Sequence, residues 1–213
     1  MATSRSSQAV TAASLAYVYG PVPSRRLGQS LGVDPIPFKT CNHNCVYCQL
    51  GRTRPLTCKR INYAPVGDLL AQVRDALQRR ADEKIDYVTI VGQGEPTLYG
   101  DLGALIRGIG AITDIPVAVI TNGALLSKPE LREELSAASV IMPSLDAADQ
   151  EMYRRIDRPC PGLSVEDMIE GLRLFRHSST TQVWVEIMLV RGLNDSPAQL
   201  EGLRGAIERI EPH

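Results

Sequence analysis

From Leu27 onward, short apolar runs alternate with longer stretches in which apolar residues recur every three or four positions. Runs of strand length cover Leu27–Val33, Asp86–Val91, Pro116–Thr121, Val140–Ser144 and Gln182–Val190. After the second of the prolines at 55 and 65, Val66, Leu69, Leu70, Val73, Ala76 and Leu77 repeat at helical spacing, with Pro65 at a favoured first-turn position. Leu102, Leu105, Ile106 and Ile109 mark a second helix. Ser127 with Glu130, Ser164 with Asp167 and Ser196 with Gln199 resemble capping boxes that open three more. The pattern shows no repeat, low-complexity tract or interdomain linker after the N-terminal residues.

Strands that alternate with helices imply parallel βα units. Right-handed crossovers would curl five such units into an open or partial barrel of parallel strands. Chemistry in such architectures sits at the C-terminal strand ends. Each expected strand should therefore run into a polar or glycine-rich loop. All five do: KTCNHNC, GQGEPT, TNG, SLDAAD and RGLND follow them in order.

The 213 residues are 44% hydrophobic and 22% charged, the balance of one soluble α/β domain with a real core. No apolar run approaches the ~20 residues of a membrane helix, so no membrane partner is expected. Residues 1–16, which include MATSRSSQAVTAAS, lack the apolar core of a secretory signal and read as a disordered tail ahead of a domain over 17–213. A cytoplasmic location follows, and with it metal chemistry over disulfides for clustered cysteines. The net charge of −1 conceals an asymmetry. Between Gly20 and Arg60 stand seven Lys or Arg (Arg25, Arg26, Lys39, Arg52, Arg54, Lys59, Arg60) against Asp34 alone. This segment surrounds the cysteine loop. It is either a solvated surface or a face for anions, with Arg25, Arg26, Arg52 and Arg54 as contacts.

Cys41, Cys45 and Cys48 fall within eight residues, with no fourth cysteine beside them. Structural zinc prefers two separated ligand pairs, and using His43 as the fourth ligand would strain so short a loop. An electron-transfer cluster needs four cysteines. Cys58 and Cys160 could serve, but both also read as small buried hydrophobes. The remaining choice is a four-iron, four-sulfur cluster with one iron left free to chelate a small molecule.

CNHNCVYC, a CxxxCxxC with an aromatic before its last cysteine, resembles the signature of the radical S-adenosylmethionine (SAM) superfamily. The resemblance runs from about Tyr17 to the end of the chain. It implies a partial (β/α)6-type TIM barrel, with SAM on the free iron and reductive cleavage to a 5′-deoxyadenosyl radical that abstracts hydrogen from substrate. An external flavodoxin- or ferredoxin-like electron donor is implied too. Cys41, Cys45 and Cys48 would hold the metal, and Tyr47 would lie beside the adenine. Gly92, Gln93, Gly94 and Glu95 resemble the GGE element that receives the SAM amino group, with Gln93 in place of the usual glycine. Gly94 would let backbone approach the ligand, and Glu95 would accept from its ammonium. Thr121 and Asn122 of TNG, and Ser144 and Asp146 of SLD, match strand ends that contact ribose and carboxylate in relatives, though such residues are also ordinary turn formers. Trp184, Glu186 and Met188 share one strand face, so Glu186 points either into the barrel or into solvent.

The lead-in GPVPSRRLGQSLGVDPIPFKTC looks like uncharacterised radical SAM proteins related to wyosine-base tRNA synthases. It makes tRNA modification one expected role and a small-molecule or peptide substrate another. The 5% aromatic content argues against a dedicated RNA binder. Relatives run into a sixth strand where this chain stops at IERIEPH, so the expected barrel lacks that strand at its C-terminus. A non-catalytic iron–sulfur carrier or a zinc-stabilised binding module is the rival reading, and it leaves the five polar strand ends unexplained.

Overall fold

The computed structural model describes residues 16–213, so the expected tail lies outside the described residues except for Ala16. A hairpin of β1 (Val18–Ser24) and β2 (Gly28–Val33) opens the fold, and its strands pair antiparallel. From β2 the sheet continues in parallel through β3 (Tyr87–Ile90), β4 (Val117–Thr121), β5 (Val140–Pro143) and β6 (Gln182–Val183), in chain order. The sheet does not close. The expected partial barrel of parallel strands is what forms, with one antiparallel strand added at its first edge.

Six helices connect or follow the strands: α1 (Val66–Arg79), α2 (Leu102–Gly110), α3 (Pro129–Leu135), α4 (Gln150–Ile156), α5 (Val165–Ser178) and α6 (Pro197–Ile210). They pack on one face of the sheet. Leu31, Val33, Val88, Ile90, Val117, Val119, Ile141 and Val183 meet Leu69, Leu102, Leu105, Ile106, Ile109, Leu172 and Phe175 there. The alternation of strand side chains sends the other set to the concave face. Leu27, Ala118, Val140 and Met142 pack there with Tyr87, Ile120 and Trp184, and no helical residue joins them. Burying a Leu or Ile on the helical face contributes about 1.5–3 kcal/mol each, so that layer holds the fold.

Local sequence accounts for most helix starts. Ser164 Oγ accepts from Asp167 N at 3.3 Å, and Ser196 Oγ from Gln199 N at 3.3 Å. Two expectations are corrected. The Ser127–Glu130 box does not form, because Pro129 takes the first helical position of α3 and Lys128 becomes its N-cap. Pro65 likewise is the N-cap of α1 and not its first helical residue. The strand expected over Gln182–Val190 is regular only at Gln182–Val183. Its ladder nonetheless continues, Trp184 N donating to Ile141 O at 2.9 Å and Glu186 N to Pro143 O at 2.9 Å.

Candidate cluster and cofactor site

Five loops leave the strand ends, and the first two are stitched into one unit. Asp34, just after β2, accepts from Ile36 N at 3.0 Å and from Gln93 N at 3.0 Å. Lys39 N then donates to Gln93 O at 2.7 Å, and Glu95 N to Thr40 O at 3.0 Å. A Cβ on Gly94 would lie 2.0 Å from Thr40 O. The close approach that this glycine permits includes one to the cysteine loop itself. On its other side the cysteine loop leans on the end of α4. Asn44 N donates to Asp157 O at 2.9 Å, Val46 N to Ile156 O at 2.9 Å, and Cys160 N to Asn42 O at 2.8 Å.

The loop surrounds its sulfurs with donors. Lys39, held buried at a φ of 58°, brings Nζ within 3.1 Å of Cys48 Sγ. His43 N–H donates to Cys41 Sγ at 3.4 Å, and Asn122 Nδ2 points to the same sulfur at 3.7 Å. Burial, with Glu95 adding to it, pushes the Cys41 thiol up to about 12, and burial with the nearby Asp157 pushes the Cys45 thiol up. Such thiols lose their protons to solvent on binding a metal centre, and donors aimed at sulfur would then stabilise the thiolates.

These features fit a cluster better than a single ion. Among the described residues, the trio whose ligand atoms all fall within 4.8 Å of one another is His43, Cys45 and Asp157, not the three cysteines. A lone zinc would need its ligands that close. His43 Nε2 lies 2.6 Å from Tyr153 Oη, while its Nδ1 has no hydrogen-bond partner among the described residues and burial holds its pKa near 3. Cys160 is buried and Cys58 half-buried beside the loop.

The remaining expected residues form two buried networks and an open pair. Glu95 is 2% exposed. Its Oε1 accepts from Thr97 N at 3.0 Å, Thr97 Oγ1 at 2.6 Å and Thr121 Oγ1 at 2.6 Å, while Oε2 accepts from Asn122 N at 2.8 Å. Asn122 Nδ2 continues to Asn42 Oδ1 at 2.5 Å. Glu95 thus ties the second and third strand ends to the cysteine loop. In the second network, Tyr47 donates to Asp146, whose other oxygen accepts from Met188 N at 2.7 Å. Asn194 Nδ2 fastens the Asp146 and Met188 carbonyls at 2.8 and 2.9 Å. Ser144 is half-buried beside Glu186, to which its backbone pairs in parallel, and its hydroxyl has no partner among the described residues. Gly92 and Gln93 lie against Asp34.

Sequence reasoning missed α4 and its flank. Asp157 lies 3.4 Å from Cys45 Sγ, its carboxyl pushed up to about 8 by burial and by Asp146. Arg158 joins Arg52, Asn44, Cys45, Val46, Cys48 and Gly51 around a cleft of about 380 Å³. The expected basic ring around the cysteines is only partly there. Arg25 and Arg26 occupy the turn before β2, so their backbone lies at the far end of that strand, about 20 Å from its cysteine loop. Arg26 alone sends its side chain back up the sheet, 2.6 Å from Glu186 Oε1.

Comparison with known proteins converges on the same reading. The Radical SAM superfamily profile matches residues 36–200. A Brachyspira hyodysenteriae protein named GTPase Obg is 43% identical over 195 residues, 92% of this chain and 28% of that protein. A Methanocaldococcus jannaschii protein of the UPF0026 group is 36% identical over 92% of this chain and 60% of its own length. A probable GTP 3′,8-cyclase of Methanopyrus kandleri is 30% identical over 81% of this chain and 53% of its own. The solved structure of TYW1 with a bound lysine–pyruvate adduct superimposes with a TM-score of 0.61 at 21% identity, over 86% of this chain and 62% of that one. The chain belongs to the radical SAM superfamily, whose members use a four-iron, four-sulfur cluster and SAM. It spans 28% to 60% of the length of these curated relatives. No helix among the described residues is long and apolar enough to cross a membrane.

Proposed function

We propose that this domain is the catalytic core of a radical SAM enzyme that abstracts hydrogen from an anionic substrate, with tRNA base modification as the narrower form of that reading. Cys41, Cys45 and Cys48 hold the cluster, and Asp157, Lys39, His43 N–H and Asn122 surround its thiolates. When bound, the cluster supplies the electron that cleaves SAM to a 5′-deoxyadenosyl radical. The chain's own work is to hold the cofactor and keep water away. The free Ser144 hydroxyl and Tyr47 would face it, while the Gly92–Gln93 backbone, tied to Asp34 and Lys39, and the buried Glu95 fix the strand ends around it. The electron comes from a flavodoxin- or ferredoxin-like donor, and the enzyme works in the cytoplasm.

The observation that carries the anionic reading is charge left unpaired. Arg52 and Arg158 rim the cleft that Cys45 and Cys48 line, and Arg25, Arg52, Arg54 and Arg158 have no ion-pair partner among the described residues. Unpaired cations at a mouth raise the local concentration of anions and make their capture depend on salt. The GTP named for one relative's reaction is such an anion. The test is binding of tRNA and of GTP to the anaerobically reconstituted protein across a salt series. A nucleic-acid substrate gives a steep log-linear loss of about one counterion per phosphate neutralised, and a small anion a shallow one. Binding of both that ignores salt contradicts the anionic reading.

A further inference from the structure

β2 and β6 lie four strands apart in the parallel part of the sheet. Residues flanking them can meet only across its concave face, and there they do. Ser24 Oγ accepts from Arg26 N at 3.4 Å and from Leu27 N at 3.2 Å, which sets the turn that precedes β2. Leu27, 2% exposed, then packs on Ala118, Val140 and Met142 of β4 and β5. With Leu27 seated, the neighbouring Arg26 reaches Glu186, in register with Ser144 where the cofactor loops begin. Of the Lys and Arg ion pairs among the described residues, this one alone joins the β2 and β6 sides of the sheet.

The surroundings of the pair are those of a binding site more than of a fastener. Near the pair, the half-buried Ile120 and Trp184 rest on the buried Leu27, Val140 and Met142, with Tyr87 packed edge-on against Trp184 at 6.4 Å. Tyr19 adds its ring over Gly32 on the same face, where any Cβ would collide with it. A few polar groups set in an apolar concavity are the usual design of a small-molecule site. The Arg26 and Glu186 side chains remain 53% and 27% exposed, so an incoming group has access to both. A fastener gains little here, since an ion pair this exposed is worth about 0–1 kcal/mol.

We propose that Arg26 is the substrate's anion anchor, and that Glu186 is its exchangeable counter-ion. The ligand class is a small organic anion, carboxylate or phosphoryl, whose charged end displaces Glu186 from the guanidinium while its body lies along Trp184. The guanidinium fork suits either oxyanion. This rests on the anionic-substrate reading and adds to the Arg52 and Arg158 cleft an anion contact at Arg26.

Trp184 is the chain's single tryptophan, two residues before Glu186, so its fluorescence reports on this site alone. The experiment compares quenching by iodide with quenching by neutral acrylamide in the reconstituted protein, without and with added phosphate or succinate. Relative to acrylamide, iodide quenching is expected to fall about two- to fivefold in Arg26→Gln, to be retained in Arg26→Lys, and to rise in Glu186→Gln. Phosphate or succinate should suppress the iodide effect in wild type, at lower concentration in Glu186→Gln, and not at all in Arg26→Gln. Whichever of the two acts at the lower concentration identifies phosphoryl or carboxylate as the preferred group. An iodide-to-acrylamide ratio unchanged in both Arg26→Gln and Glu186→Gln, at unchanged acrylamide quenching, overturns the proposal. A wild type that fails to cleave SAM overturns the enzymatic reading while leaving the quenching result intact, so the two fail separately.

Discussion

The two ends of β2 are built on opposite plans. At its C-terminal end the cysteine loop is locked on both flanks by backbone hydrogen bonds, and the buried Glu95 accepts four more around it. At its N-terminal end the hairpin turn is held by the Ser24 hydroxyl, the buried Leu27 and Asp86, which accepts from Gln29 N at 2.8 Å, and it offers an exposed ion pair beside the half-buried Trp184. The difference matches two tasks. A metal centre and its cofactor need fixed ligands, since misplaced groups lose preorganisation. A substrate bed must admit and release its occupant, so its polar contacts have to be exchangeable.

That contrast is open to attack at four points. The largest effect belongs to the cluster ligands: iron after anaerobic reconstitution should approach four per chain in wild type and collapse in Cys45→Ala, while Cys58→Ala and Cys160→Ala hold it. Equal iron in Cys45→Ala would break the assignment of that end. Next comes Glu95→Ala. Stripping one acceptor from the buried donors of Thr97, Thr121 and Asn122 should cost about 3 kcal/mol, read as a lower urea midpoint at unchanged slope. A loss confined to SAM affinity, with full stability, would restore Glu95 to the role of a direct SAM contact.

Leu27→Ala should cost about 2–3 kcal/mol, because the seated side chain leaves a cavity among Ala118, Val140 and Met142. Its iron content should nevertheless stay at wild type, and iron loss would show that the two ends are not independent. The smallest effect is expected for Arg26→Gln, under about 1 kcal/mol of stability, because its partner is a solvent-accessible carboxylate. A cost of several kcal/mol there would make the pair a fastener after all.

How much of this was legible in the sequence depended on how local the cause was. The four inner parallel strands came from runs of apolar residues, and the Ser164 and Ser196 caps from hydrogen bonds that span three residues. β1 gave no signal, since Gly20, Pro21 and Pro23 interrupt any run, and prolines are tolerated there only because the strand is at the edge. α4 was hidden because SLDAAD read as a strand-end loop, whereas Asp149 accepts from Met152 N at 2.8 Å and caps a short helix. With α4 went Asp157 and Arg158, which reach the cysteines only through the tertiary fold. The three cysteines and the strand-end residues were identifiable from spacing and resemblance. The direction each side chain takes was not: Glu95 faces inward to three neighbours, and Arg26 turns back toward Glu186.

The central claim is that the cysteine loop carries a redox cluster that works on SAM. Its most direct test is anaerobic reconstitution with iron and sulfide, followed by reduction with dithionite in the presence of SAM and quantification of 5′-deoxyadenosine. Wild type is expected to be brown and to form 5′-deoxyadenosine, with both colour and product lost in Cys45→Ala. A colourless wild type that binds one zinc tightly and leaves SAM intact would contradict that claim.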